Sequence, residues 1–301
     1  MVWSPSVLTV SIPAAGRDLV LLADVKNDWD ITDTTDDTFL SRAITRCSAA
    51  AENFCNRNFG VATYVEKIRY PRDAVPITLT GGVAPLQLSR WPLVSVTSIV
   101  EGVNAPVTLD PTVPDYDTDL SAGQIIRLDG NGNARLWAYG LITVTYKAGY
   151  VLPYTKSATT LAFVASGTTL TDSANGLGKF QVGNVVDITG STHNSLTLLV
   201  ATAAAGAVTF TNVDGSAATF VAESAGATVS LSVEATLPQD IQDAVSRMVW
   251  SRYSERSRDP FVESGGLAGL GSVKYLVPKG SGNMSDDVSD ILDNYRVPVV
   301  G

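Results

Sequence analysis

The chain has 301 residues, 45% of them hydrophobic and 17% charged, with a formal net charge of −9. This is the composition of a folded globular protein rather than a disordered one, and at roughly 100–200 residues per domain the length fits two domains better than one. The acidic balance argues against a general nucleic-acid binder, which needs a basic face, but it leaves room for a lumen or groove past which DNA slides without being held.

The first stretch, "MVWSPSVLTVSIPAAG", lacks the basic start and continuous apolar core of a signal peptide. No run of about 18 apolar residues occurs, so no membrane-spanning helix is expected. The expectation is a protein made and kept in a cytoplasm, or assembled into something that forms there. Residues 18–29 read as a short helix with Leu22, Val25 and Trp29 on one face. Residues 32–59, "TDTTDDTFLSRAITRCSAAAENFCNRNF", read as a longer one. Thr34 and Asp37 have the spacing of a capping box. Phe39, Ala43, Cys47, Ala50 and Phe54 form an apolar stripe flanked by Ile44 and Ala51. Cys47 and Cys55 would lie about 12 Å apart along the helix axis, too far to bridge, so buried free thiols are expected.

From Val61 to Tyr150 the pattern turns to strands: "TYVEKIRY", "ITLTG", "PLQLSRWPLVSVTSIVEG", "IIRLDGNGNARLW" and "LITVTYKAGY", separated by Gly, Asn, Asp and Pro. "LDGNGN" is a hairpin turn signal. Residues 155–235 are nearly uncharged and rich in Thr, Ala, Val, Ser and Gly. Their short strands "TLAFVA", "NVVDITG", "LTLLVATA", "AVTFTN" and "ATVSLSV" predict a small sandwich or barrel. A third helix runs from Pro238 to about Ser257, with Ile241, Val245, Met248 and Tyr253 on or near one face. After a Gly/Ser-rich stretch, "MSDDVSDILDNYRVPVVG" holds a short helix from Asp286 to Tyr295, capped by Ser285. The dipeptide Leu-Pro occurs at residues 152–153 and again at 237–238, and only the second is followed by a helix. Removing residues 154–236 leaves strand, turn and helix in continuous order. The middle therefore reads as a β domain inserted at an exposed tip of a smaller parent. The expected division is a discontinuous core of residues 1–154 and 236–272, an insert of 155–235 and a tail of 273–301. The expected fold class is α+β: a small helical bundle with a strand and hairpin region, plus an inserted all-β sandwich or barrel-like domain.

Catalytic constellations are absent from the sequence, and the chain is not expected to be an enzyme. The single histidine, His193, sits in a turn, so no Ser/His/Asp set can be built without it. No Cys/His spacing suits a metal, and no cofactor is implied. Asp115, Asp117 and Asp119 imitate the start of a calcium loop. They lack the glycine at its sixth position (Leu120) and the acid at its twelfth (Ile126), so they read as turns. Arg247, Arg252, Arg256 and Arg258 cluster at the third helix. They read either as a solvated helix end favoured by the dipole or as a contact to DNA phosphate or to a neighbouring subunit's acids.

Six segments taken in order carry a resemblance: "LLADVKNDWDI", "DDTFLSRAITRCSAAAENFCNRNF", "LQLSRWPLVSVTSIV", "YDTDLSAGQIIRL" with "ITVTYKAGY", "LPQDIQDAVSRMVWSRYSERSRD" and "DILDNYRVPVV". Together they resemble the head–tail connector proteins (adaptor or head-completion proteins) of long-tailed bacteriophages and gene transfer agents, over nearly all of residues 18–150 and 236–301. Residues 155–235 depart from the short family members. The resemblance implies a structural virion protein that forms a ring, commonly twelvefold, beneath the portal. Such a ring continues the DNA channel without sequence-specific binding and offers a platform to the next neck, stopper or tail component. It further implies that the tail docks on the portal, with Leu292, Tyr295 and Arg296 as anchors of interface-forming chemistry. The rival reading is a monomeric binding module whose β insert recognises a ligand or surface, which would require an aromatic-lined pocket. The insert offers only Phe163, Phe180, Phe210 and Phe220 for it, and all four can be placed as core.

Overall fold

The structure, a computed structural model, describes residues 6–70, 85–138, 140–164, 167–256, 264–267, 271–274 and 284–297. The expected strand "ITLTG" and Arg258 lie outside them. The chain is α+β and divides into two compact units, one of residues 1–15 and 60–150, the other of residues 16–59 and 151–301.

The first unit is built from β1 (Ser6–Ile12), β2 (Ala62–Tyr70), β3 (Leu86–Gln87), β4 (Leu93–Glu101), β5 (Val107–Thr108), β6 (Tyr116–Asp119), β7 (Gln124–Arg127) and β8 (Gly140–Ala148). Five of these form an antiparallel sheet in the order β1-β2-β8-β4-β5, and three form a smaller sheet, β3-β7-β6. The alternation expected of half-buried strands is present. Along β8, Ile142, Val144 and Tyr146 are buried and opposed by Ile68, Glu66 and Tyr64 of β2. They join Leu88, Ile99, Ile125 and Trp137 in one core. The "LDGNGN" turn forms as expected: the Asp129 amide donates to the Asn133 carbonyl at 2.8 Å, and the Asp129 carboxylate accepts the amides of Asn131 and Asn133. β1, which no strand pattern in the sequence marks, adds an edge strand to β2.

The second unit contains α1 (Leu22–Asp28), α2 (Asp37–Phe54), α3 (Gln239–Ser254) and α4 (Asp286–Asp293), together with β9 (Tyr154–Ala158), β10 (Leu161–Phe163), β11 (Thr169–Asp172), β12 (Val185–Thr189), β13 (Thr197–Ala203), β14 (Ala207–Asn212) and β15 (Val229–Val233). A further hairpin pairs β16 (Ser264–Leu267) with β17 (Gly271–Lys274). β9 to β15 make one seven-stranded sheet in the order β10-β11-β14-β13-β12-β15-β9. Its two outermost strands, β9 and β10, are consecutive in the chain, with only Thr159 and Thr160 between them. At about 3.3–3.6 Å per extended residue, so short a link requires the two edges to approach, so the sheet curls into a barrel open along one seam. Leu161, Phe163, Leu170, Leu177, Phe180, Val186, Leu198, Val208, Phe210, Phe220 and Leu231 fill it. The chain leaves the barrel beside its point of entry. The Val151 amide donates to Thr236 Oγ1 at 2.9 Å, and the Thr236 amide donates back to the Val151 carbonyl at 3.0 Å.

The helices pack α2 on α3 and α3 on α4, with α1 against α2 and α3. On α3 the buried face is Ile241, Ala244, Val245, Met248 and Val249. Tyr253 stays half-exposed at its margin, and Pro238 serves as the residue preceding the helix rather than its first turn. On α2 the buried stripe is Leu40, Ala43, Ile44, Cys47 and Ala51, rotated from the expected one. Phe39 is 37% exposed, and Ala50 and Phe54 are half-buried. The expected capping box does not form. Asp36 precedes the helix without a side-chain bond to its amides, its carboxylate being taken by Arg256 and Tyr253, while Asp37 accepts from Lys26.

Cys47 and Cys55 are free and buried. Desolvation pushes their thiols up, to about 11 and about 12 respectively. A thiol whose folded pKa lies above its unfolded value stabilises the fold below the unfolded value, near pH 9, and that stability is lost as pH rises toward the folded one. Unfolding free energy should therefore fall between pH 9 and 11, by on the order of 2 kcal/mol per thiol at about 1.4 kcal/mol per pKa unit. Denaturant melts at pH 8 and 10.5 check this, and Cys47→Ala should remove about half of the difference, the Cys55 share remaining.

Candidate functional site

The C-terminal segment is held by residues far from it in sequence. Val288 and Leu292 line the inner side of α4, with the buried Met284 just before the helix, and Leu292 is fully buried. The Cys55 thiol donates to the Leu292 carbonyl at 3.3 Å, and the Val297 amide donates to the Cys55 carbonyl at 2.9 Å. The Tyr295 hydroxyl donates to the Asp240 carboxylate at 2.7 and 2.9 Å, tying the tail to the first turn of α3, and its ring meets Phe59 edge-on. Arg296 is exposed, lies over the Phe54 ring and pairs loosely with Asp293. Ser285 sits at the expected cap position, but its hydroxyl bonds the Asp287 carboxylate, not a helix amide. That bond, then Arg247, holds Asp287 below the usual carboxylate range.

The arginines of α3 do not form one patch. Arg247 bridges Asp243 of its own helix and Asp287 of α4, at 2.8 and 2.9 Å. Arg256 reaches Asp36 at 2.6 Å and lies over the Tyr253 ring at 4.2 Å. Its hydrogen bond is the main reason the Asp36 carboxyl falls below its usual range. Arg252 is half-buried and makes no ion pair among the described residues.

A feature that sequence reasoning missed lies beside Arg256. Trp29 of the α1 C-terminus stacks on Trp250 of α3, with ring centroids 4.7 Å apart and planes 3° from parallel. Trp250 stacks in turn on Tyr253, which Phe39 approaches at 6.3 Å. Trp29 Nε1 donates to Ser246 Oγ, whose hydroxyl donates to Asp28, so the ladder is fixed at one end. Its members are half-exposed, and Phe39 is exposed. Trp, Tyr and Arg in a rigid, partly exposed array are the residue types that dominate protein–protein interfaces. The only sequence signal for it was the shared face of Leu22, Val25 and Trp29.

Between α1 and α3 lies an open cleft of about 610 Å³, lined by Val20, Asp24, Asp28, Asp240, Asp243 and Ser246 among others. Burial, then the neighbouring Asp28, pushes the Asp24 carboxyl up. The lining is polar and acidic, unlike the apolar wall of a small-molecule pocket. No cluster of His, Cys, Asp or Glu among the described residues could hold a metal ion. Asp115 and Asp119 bind backbone amides, and Asp115 also binds Arg127, as turn residues do. His193 sits in the turn that Ser191 and Glu223 organise. The four phenylalanines of the barrel are 1–4% exposed, so none lines a pocket. No helix among the described residues is long and apolar enough to cross a membrane.

Among solved structures, the chain is similar to one from the neck of an empty GTA particle, computed with C6 symmetry. The likeness is to a particle neck. It covers 98% of this chain and 97% of that one, at 12% identity and a TM-score of 0.38. No family model matches the sequence, and no curated protein does.

Proposed function

We propose that this chain is a structural virion protein of the neck. In this reading it is a head–tail adaptor that forms a ring, commonly twelvefold in the family it resembles, beneath a portal. The ring extends the DNA channel and joins the capsid to the next neck or tail component. It catalyses nothing. The observation that carries the reading is spatial. Three of the segments that resemble the adaptor family, "DDTFLSRAITRCSAAAENFCNRNF", "LPQDIQDAVSRMVWSRYSERSRD" and "DILDNYRVPVV", come from distant parts of the chain and pack as α2, α3 and α4 in one bundle. The barrel strands fall between them in sequence. The aromatic ladder with Arg256 supplies a surface for the neighbouring subunit, since closed rings form through two different surfaces on each copy. Residues 273–301 are assigned to the portal. Docking through Tyr295 and Arg296 is compatible with the bundle as it stands, whereas docking through Leu292 requires α4 to detach.

The test is the mass of the purified protein in solution, alone and mixed with a portal ring. A defined ring, or monomers that assemble on the portal, is expected. Trp250→Ala should weaken assembly by at least tenfold, because an interface aromatic at a hot spot contributes about 2 kcal/mol or more. A stable monomer that ignores the portal would overturn the proposal.

A further inference from the structure

The five-stranded sheet of the first unit sorts its charges by face. Its strands carry two carboxylates, Glu66 and Glu101, and three cations, Lys67, Arg69 and Lys147. Both acids point inward and are almost fully buried. Glu66 accepts the Tyr146 hydroxyl and the Ser89 amide. Glu101 pairs with Arg127 and accepts the Ala138 amide. All three cations point outward and are exposed. None has an ion-pair partner among the described residues, although the chain as a whole carries 30 acids against 21 bases.

The register fixes this arrangement. Lys67 lies opposite Thr143 and Lys147 opposite Thr63, so the four side chains share a face. Arg69 is two residues beyond Lys67, about 7 Å along the strand, and Lys147 is about 13 Å away in the other direction on the adjacent strand. The hydroxyls of Thr63, Thr143 and Thr145 and the side chain of Val65 occupy the ground between them. The result is a face about 20 Å long whose cations have no ion-pair partner among the described residues, whose strands place no carboxylate on it, and which is bordered by the exposed Val7 and Ile12 of β1.

We infer that this outward face is a sequence-independent contact surface for the phosphate backbone of double-stranded DNA. The inference deepens the neck reading, in which DNA passes this protein, by naming the face that meets it. A duplex carries one negative charge per about 1.7 Å of axis, so a face of this length lies along several phosphates. Three cations neutralise few of them. Such a surface guides the duplex without holding it, whereas six to ten phosphate contacts would bind tightly. Hydroxyls add phosphate contacts without reading bases.

The test uses the full-length protein and a mixed-sequence duplex of about 30 base pairs at about 50 mM salt. Amine footprinting by mass spectrometry should show Lys67 and Lys147 protected, and Lys156 and Lys179 of the barrel unchanged. With three phosphate contacts, log affinity should fall against log salt with a slope of about −2.7, a loss of about 40-fold between 50 and 200 mM. The triple variant K67Q/R69Q/K147Q should bind the duplex more weakly and lose most of that slope. Its thermal unfolding should match wild type, because the three side chains are exposed. No protection, equal protection of all four lysines, or an unchanged slope in the variant would overturn the inference. Ring assembly on the portal is measured on the same samples. A variant that fails to form rings, from a wild type that shows no DNA protection, identifies the face as a subunit contact and overturns the inference. A wild type that shows DNA protection but forms no ring supports the face and sinks the neck reading instead.

Discussion

Truncating Leu292 to alanine is expected to destabilise the helical bundle by about 2–5 kcal/mol, the range for a fully buried leucine that leaves a cavity. The side chain has no exposed surface, and α4 has only eight residues. A helix that short has almost no stability of its own in water. What holds it is the apolar side formed by Met284, Val288 and Leu292, with the Cys55–Leu292 and Val297–Cys55 bonds at its end. The loss should therefore be local first: amides of α4 should exchange with solvent faster in Leu292→Ala, while those of α2 and α3 keep their protection. Arg296→Ala is the informative contrast, because its side chain is exposed and its pair with Asp293 is long. Exposed pairs of this kind contribute about 0–1 kcal/mol, so this variant should keep its stability. If the segment docks through its outer side, Arg296→Ala should still weaken portal joining. A Leu292→Ala protein as stable as wild type would mean that α4 is not bound in the bundle in solution.

Much of the architecture was readable because local patterns and the final packing agree. The barrel strands announced themselves through β-branched alternation between turn residues, and α3 through its 3.6-residue stripe. Where local and tertiary demands part, the reading shifted. The helical period places Phe39 in the α2 core as a large apolar residue. In the structure it stands at the margin with Tyr253 and Arg256, and Leu40 takes the inner place. Thr34 and Asp37 have capping-box spacing, but Lys26 and Arg256, brought in by other helices, claim the acids around the helix start. β1 is not legible in the sequence because "SVLTVSI" has no clean alternation. It is an edge strand, and Val7 and Ile12 remain 64% and 60% exposed. The Trp29–Trp250 stack joins residues at opposite ends of the unit's sequence, so no short-range pattern could reveal it. The same limit applies to Leu292. A leucine one helical turn after Val288 marks an apolar side, and sequence alone does not say whether that side meets a partner or its own chain. The sorting of charges on the first sheet was equally hidden, because it depends on the pairing of β2 with β8.

Removing the Glu66 carboxylate should damage the first unit as much as deleting a large core side chain. Glu66 is 1% exposed and accepts from the Tyr146 hydroxyl at 2.8 Å, from the Ser89 amide at 3.0 Å and from the Ser89 hydroxyl. Burial, then the neighbouring Glu66, pushes the Tyr146 hydroxyl far above its usual pKa, so it remains a proton donor to this carboxylate throughout the accessible range. Glu66→Ala strips donors on two segments of their acceptor at once. Each buried donor left unpaired costs about 1–3 kcal/mol, and Ser89, half-buried, can recover part of its share from water, so the expected loss is about 2–5 kcal/mol. Glu66→Gln keeps a carbonyl acceptor and should lose less. Tyr146→Phe removes a donor and leaves Glu66 bonded to Ser89. Urea melts of the two single variants and of the double variant Glu66→Gln/Tyr146→Phe should show a coupling of about 0.5–3 kcal/mol, whereas additivity would mean that the hydroxyl and the carboxylate act independently. The consequence reaches the opposite face of the sheet. A slip of one residue between β2 and β8 would bring Glu66 out and Lys67 in. The buried carboxylate, with Tyr64 and Ile68 beside it, therefore supports the register that keeps Lys67, Arg69 and Lys147 facing outward.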